Sequence, residues 1–302
     1  MFQLVEFPSE GATLRGRLYV RPNLSRPSPV VIMAHGFSAT INGMVADRYA
    51  ETFYAAGFAV LLYDHRNFGI SDGEPRQQIN TWIQARGYRD AISFVHGLSE
   101  IDPLRVAIWG DSISAGQAIV VTAIDSRVKA VVAQVPGCGS EPPPPDADGA
   151  MFAAIRETLL NGNVSASPEM TTGPLPVVSF DQRGTPSLLT PISAYRWFIE
   201  YGGRHGTHWL NWATRAQPKT PVPYSPGICA RHLKVPALFV IASEDEMPAA
   251  NPKVSRLAYQ VTPEPKELLE INGGHFGLLH YPSELFDQVS AAQRDFLIRH
   301  LA

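Results

Sequence analysis

The chain has 302 residues, is 45% hydrophobic and 18% charged, and carries a formal net charge of -3. This is the make-up of a folded globular protein with a substantial core, and with no basic stretch it offers little to nucleic acid or to an anionic membrane surface. Its two cysteines, Cys138 and Cys229, are far apart in sequence and form neither a disulfide framework nor a metal cluster; two free thiols of a reducing cytosol is the plainer reading, with a single bridge as the alternative.

The N-terminus alternates like a strand and lacks the basic, apolar and small-residue regions of a signal peptide. No stretch approaches the roughly 20 apolar residues that span a bilayer, so a soluble, cytoplasmic protein is expected. Gln3 to Phe7 and Thr13 to Val20 read as paired strands joined around Ser9-Glu10-Gly11. Short, wholly apolar runs follow: Pro29 to Ala34, Phe58 to Tyr63, Arg105 to Trp109, Val128 to Ala133, Pro236 to Ala242, and a shorter one at Leu268 to Ile271. Such runs suit strands buried on both faces of a parallel sheet.

Helical spacing separates them, over Ala46 to Ala56, Thr81 to Leu98, Ile113 to Ile124 and Ser283 to Leu301. Alternating strands and helices predict an α/β fold with a mostly parallel, doubly wound sheet. The alternation breaks between about Gly137 and Arg231. That stretch holds the run Pro142 to Pro145, a candidate helix over Ala150 to Leu160, and a Gly/Ser/Thr/Pro-rich loop. It then carries Tyr195, Trp197, Phe198, Tyr201, Trp209 and Trp212. A linker would not carry so many aromatics, each needing somewhere to bury, so residues 137–231 are expected to form an inserted cap on a core made of 1–136 and 232–302. Whether these aromatics face a substrate or only pack is open at this stage.

Trp109-Gly110-Asp111-Ser112-Ile113-Ser114-Ala115-Gly116 sits where a buried strand hands over to a helix. A nucleophile there rides a tight turn with its side chain in the open, above a helix N-terminus that favours negative charge. Small residues flank Ser112 two positions away on each side, but they also flank Ser114. Strand phase separates the two, placing Ser112 at the apex and Ser114 inside the first helical turn.

A serine hydroxyl needs a base, and the base needs an acid to orient it. In this architecture the order is Ser, acid, His. Asp245 stands in the loop after one predicted strand, with Glu244 and Glu246 as solvated neighbours, and His275 follows two glycines after the next. Two oxyanion donors are expected, the backbone N–H of Ile113 and that of Phe37 in His35-Gly36-Phe37. His35 is expected to buttress this loop, and Asp64 and Arg66 to brace the loops beside it.

His35-Gly36-Phe37, the stretch from Tyr63 to Arg76, the Ser112 turn and Gly273-Gly274-His275-Phe276 together resemble the α/β-hydrolase superfamily. Within it they resemble the dienelactone-hydrolase-like and acetyl-xylan-esterase-like branch, which includes polyketide transferases and thiohydrolases. The resemblance covers both ends of the chain and fades through the cap. It implies Ser112, Asp245 and His275 as triad, and Phe37 and Ile113 as oxyanion donors. Asp111 and Ala115 depart from the Ser or Thr and the Gly common in that branch, and Ala242 from the Gly that often precedes the acid.

The activity this implies is hydrolysis of a carboxylic ester through an acyl-enzyme, on a small-molecule ester or acyl substrate, with neither metal nor organic cofactor. A thioesterase or acyltransferase of polyketide-type biosynthesis would use the same triad, as would a C–C bond hydrolase. A non-catalytic sensor on the same fold is a further alternative. Oligomeric state is open, a homodimer included.

Overall fold

The computed structural model describes residues 2–22 and 26–302. The chain enters as a hairpin, β1 (Gln3–Ser9) and β2 (Ala12–Tyr19), turning through Glu10 and Gly11, both at positive φ. There follow β3 (Ser28–Ala34), α1 (Ala46–Ala55), β4 (Ala59–Tyr63), β5 (Gln78–Ile79), α2 (Thr81–His96), β6 (Ile101–Asp111), α3 (Ile113–Ile124) and β7 (Val128–Gln134). The interrupted region holds α4 (Ala150–Asn161), β8 (Thr171–Leu175), α5 (Ile192–Trp197), β9 (Ala213–Ala216) and α6 (Pro226–Ala230). The alternation then resumes with β10 (Ala237–Ala242), α7 (Pro252–Val261), β11 (Lys266–Ile271) and α8 (Glu284–Leu301).

Eight strands form one sheet in the order β1-β2-β4-β3-β6-β7-β10-β11. It is parallel from β4 to β11, while β2 runs antiparallel to both its neighbours. The apolar runs are continuous because both faces are covered. On β3, Val31 and Met33 join a core with Tyr49 and Phe53 of α1 and Phe286 and Val289 of α8. Val30 and Ile32, of opposite phase, join a core with α2 and α3. The predicted α/β class and doubly wound sheet are both present.

Helix starts follow local chemistry. The Asn80 side chain accepts from the N–H of Trp82 and Ile83 at the start of α2, and Ser283 accepts from Phe286 N–H at the start of α8. α7 was not read from the sequence, although Asn251 caps it and Pro252 occupies its first turn.

The inserted segment does not stand apart. Trp197, Phe198 and Tyr201 belong to the α1/α8 core, and Ile155, Leu159 and Ile228 to the α2/α3 core. Its strand β9 pairs with β8 on one side and with β5, which precedes α2, on the other (Gln78↔Thr214, Ile79↔Arg215). The Trp197 indole donates to Leu279 O, which ties α5 to the segment after His275.

Candidate active site

β6 ends at Asp111, and Ser112 follows at φ 56° and ψ -123°, a strained conformation for a residue with a Cβ. Backbone bonds on both sides impose it. Ser112 N–H donates to Gln134 O on β7, while Ser112 O accepts from Ala115, Gly116 and Gly137. A Cβ on Gly110 would lie 2.4 Å from Ser114 O, so the turn closes only with glycine there. Ser112 occupies the N-cap of α3, yet its hydroxyl makes no capping bond and faces a cavity instead.

Ser114 lies in the first turn of α3 and is fully buried. Its hydroxyl donates to His35 O at 2.7 Å and meets His65 Nε2 at 2.8 Å. The two serines that the motif leaves equivalent are thus divided between a cavity and a packed hydrogen-bond network. Burial pushes the His65 pKa down to about 3, so this ring is neutral and serves as a brace.

Asp245 and His275 come from the loops after β10 and β11, neighbouring parallel strands whose ends reach the same sheet edge. Asp245 Oδ2 lies 2.7 Å from His275 Nδ1, and both side chains are 2% exposed. The bond directs the other ring nitrogen, Nε2, away from the acid. His275 and Ser112 line one small cavity of about 20 Å³, room for about one water. A larger cavity of about 350 Å³ opens from Ser112, Ile113 and Phe37 toward the inserted segment. Leu188, Leu189, Ala216 and Met247 supply much of its wall. The aromatics that raised two readings in the sequence do both: Trp197 stacks on Tyr201 and Phe198 on Trp209 in the core, and Trp197 and Phe198 also line the small cavity beside Ser112 and His275.

The loop after β3 approaches Ser112 closely. A Cβ on Gly36 would sit 3.0 Å from Ser112 Cβ, so glycine lets the Phe37 backbone come alongside the serine. His35 holds this loop from below. Its Nδ1 lies 3.0 Å from both oxygens of Asp111, and its Nε2 bonds to Met44 O. Gly36 N–H also approaches Nδ1, but two carboxylate oxygens face it more strongly. With oxygen acceptors at both nitrogens, the imidazolium is the form that satisfies the ring. Burial alone would lower the His35 pKa, but the Asp111 charge and hydrogen bond outweigh it and leave it raised. Asp111, the unusual residue beside the nucleophile, is therefore the buried partner that holds His35 and, through it, the Phe37 loop.

Asp64 braces the next part of the loop by accepting from Ile41 N–H and Ile70 N–H, both at 2.9 Å. Burial raises its pKa to about 6, against those two bonds. Arg66 makes no such brace through its Nε, which is buried with no hydrogen-bond partner among the described residues.

One reading of the acid loop is corrected. Glu246 is not a solvated bystander: it accepts the His275 backbone N–H at 2.8 Å and the Ser193 hydroxyl of α5. A third consecutive acidic residue gives no sequence sign of this, because the bond depends on where Gly274 brings the chain past the carboxylate. Arg215 lines the larger cavity and has no signal in the sequence. It sits in the segment of weakest pattern, and its β9 strand is only four residues long.

A two-sided parallel sheet, a strained serine after β6 and a buried Asp–His pair at the same edge define an α/β hydrolase. The chain belongs to the family described as Serine aminopeptidase, S33, which matches residues 25–184, and is an enzyme of the serine α/β-hydrolase superfamily. It is similar to the quorum-quenching protein AidA of Acinetobacter baumannii, at 30% identity over 98% of this chain and 94% of that one. The polyketide transferase ATR5 of Stachybotrys chlorohalonatus is 29% identical over 98% of this chain and 97% of its own. Among solved structures, the α/β hydrolase GrgF of Penicillium sp. sh18 superposes with a TM-score of 0.74 at 26% identity, covering 100% and 99% of the two chains. No helix among the described residues is long and apolar enough to cross a membrane.

Proposed function

We propose that the protein hydrolyses a carboxylic ester of a small molecule through an acyl-enzyme on Ser112. The observation that carries this reading is the buried Asp245–His275 pair at 2.7 Å, with its ring lining the same cavity as Ser112 on a strained turn. Ser112 Oγ attacks the carbonyl as His275 Nε2 takes its proton. Asp245 keeps the ring in the tautomer this needs and stabilises the imidazolium that forms. The backbone N–H groups of Phe37 and Ile113 receive the developing oxyanion, and losing one such donor typically costs about 3 kcal/mol. His275 returns the proton to the leaving alkoxide, and a water activated by the same ring releases the acid.

A fluorophosphonate probe should label the wild type at Ser112, and p-nitrophenyl butyrate should be turned over. Ser112→Ala should abolish both while leaving the thermal unfolding transition in place. Turnover retained by that variant would remove the assignment.

The full-length similarity to a polyketide transferase favours a second reading, in which the acyl group arrives as a thioester or leaves to an alcohol. The same labelled serine would then turn over an acyl thioester faster than the matched oxygen ester, or give an ester product when alcohols are added.

A further inference from the structure

The larger cavity is lined by aliphatic and small polar side chains and by one charged residue, Arg215. Arg215 lies on β9, beside Ile79 of β5, which lines the same cavity. Its guanidinium stacks 4.9 Å from the centroid of the Phe37 ring and, among the described residues, gives one hydrogen bond, to Leu188 O at 3.0 Å. A guanidinium has five N–H donors. Among the described residues no carboxylate comes within 4.0 Å of it, and the remaining four residues (Met1, Asn23, Leu24 and Ser25) have no acidic side chain. Burial lowers its pKa, with no neighbouring acid to offset this.

Buried arginines are ordinarily paired, because an unpaired charge away from water is costly. Arg86 meets Glu10, and Arg89 and Arg127 share Asp125; Arg66 and Arg76, equally part-buried, have no carboxylate within 4.0 Å among the described residues, but neither lines this cavity. Arg215 breaks the rule inside the cavity that Ser112 opens into. Its planar fork matches a carboxylate, with two parallel hydrogen bonds in a partly desolvated setting. Because it packs on Phe37, the anion it holds lies near the scissile carbonyl. A cavity of about 350 Å³ suits a compact acyl or alcohol group beside the serine.

We propose that Arg215 is a substrate anchor and that the protein prefers esters carrying a free carboxylate a few bonds from the cleaved carbonyl. This rests on the serine-hydrolase reading above. It narrows the substrate class to half-esters of short dicarboxylic acids and esters of carboxylate-bearing alcohols.

The test compares charged esters with neutral partners of the same shape. On the acyl side, these are mono-p-nitrophenyl esters of succinate, adipate and suberate against their methyl diesters. On the alcohol side, acetylated 4-hydroxybenzoate is compared with its methyl ester. The wild type should favour at least one charged member by about tenfold or more in kcat/KM, mainly through KM, as expected for hydrogen bonds to a charged group. Arg215→Gln should erase that preference while leaving neutral esters within roughly threefold, and Arg215→Lys should keep part of it.

Absence of preference in every wild-type pair would overturn the proposal. So would a preference that survives Arg215→Gln, or an equal loss of kcat on charged and neutral esters, which would mark Arg215 as a brace for the Phe37 loop. Calorimetric titration of Ser112→Ala with monomethyl adipate and dimethyl adipate reads the anchor without turnover. Binding of the monoanion alone, lost on adding Arg215→Gln, supports the anchor even if the fluorophosphonate leaves Ser112 unlabelled and the hydrolase reading fails. Labelling of Ser112 with no charge preference and no such binding removes the anchor alone.

Discussion

Glu246 holds the backbone of His275 while Asp245, the residue before it, holds the ring: one bond at 2.8 Å to the N–H, one at 2.7 Å to Nδ1. Two successive carboxylates thus fix both the position and the rotation of one histidine. Asp245→Asn should lower kcat by about 10⁴-fold, as loss of the orienting acid does in serine proteases. Glu246→Ala should cost kcat about tenfold, since it leaves the His275 N–H and the Ser193 hydroxyl without their acceptor. Glu246→Gln, which still accepts, should stay within roughly threefold. Steady-state rates on one p-nitrophenyl ester separate the three, and full activity in Glu246→Ala would show that the backbone bond does not matter.

Ser114 provides a control for the nucleophile. Its hydroxyl bonds His35 O and His65 Nε2 in the interior. Ser114→Ala should retain fluorophosphonate labelling at Ser112 and lower stability by about 1–3 kcal/mol, the range for a buried partner left unsatisfied. Mass spectrometry of the labelled peptide and urea unfolding supply the two readouts.

The His35–Asp111 pair has a testable pH signature. The folded-state pKa of His35 is raised above its unfolded value of about 6.5. Its contribution is therefore complete below about pH 6.5 and is lost as pH rises through the folded value. Asp111→Asn should destabilise by about 3–5 kcal/mol at pH 6, where it strands a buried cation, and by less at pH 9. Urea midpoints at the two pH values check this, and an equal loss at both would mean that the ring is neutral in the wild type.

His65 acts on the opposite limb. Its folded pKa near 3 lies below the unfolded value, so stability is complete above about pH 6.5 and falls as pH drops toward 3. The slope reaches about 1.4 kcal/mol per pH unit at most. Asp64, with its pKa raised to about 6, works with the reverse sign between about pH 6 and 3.8. Comparing wild type with His65→Asn isolates the histidine: the variant should lose less stability between pH 6 and 4. Parallel curves would contradict this.

The elements legible in the sequence were those whose physics is local. The apolar runs from β3 to β10 and the periodicity of α3 placed the sheet and the elbow within a residue or two at most ends. Asp245 and His275 could be found because each follows a strand whose direction was already known. Glu246 and Arg215 could not. The role of Glu246 depends on the path of Gly274 past it, and that of Arg215 on β9 pairing with a two-residue strand more than a hundred positions away. The aromatics of the inserted segment announced burial correctly but not against what. Trp197 packs on Phe276, the neighbour of His275, and with Phe198 lines the small cavity between Ser112 and His275, while aliphatics make most of the wall of the larger one.

The stitching of β9 to β5 has a consequence for how new substrate preferences can arise in this scaffold. A lid on a hinge can be exchanged or reshaped without touching the machinery below. Here the segment that walls the cavity is laced to the hydrolase core by a strand ladder at Gln78–Ile79, and to the His275 loops through Ser193 and Trp197. Substitutions that remodel α5 or β9 therefore also pull on the loops that hold His275. Drift in specificity should proceed through single side chains facing the cavity, with wholesale replacement of the segment penalised in turnover.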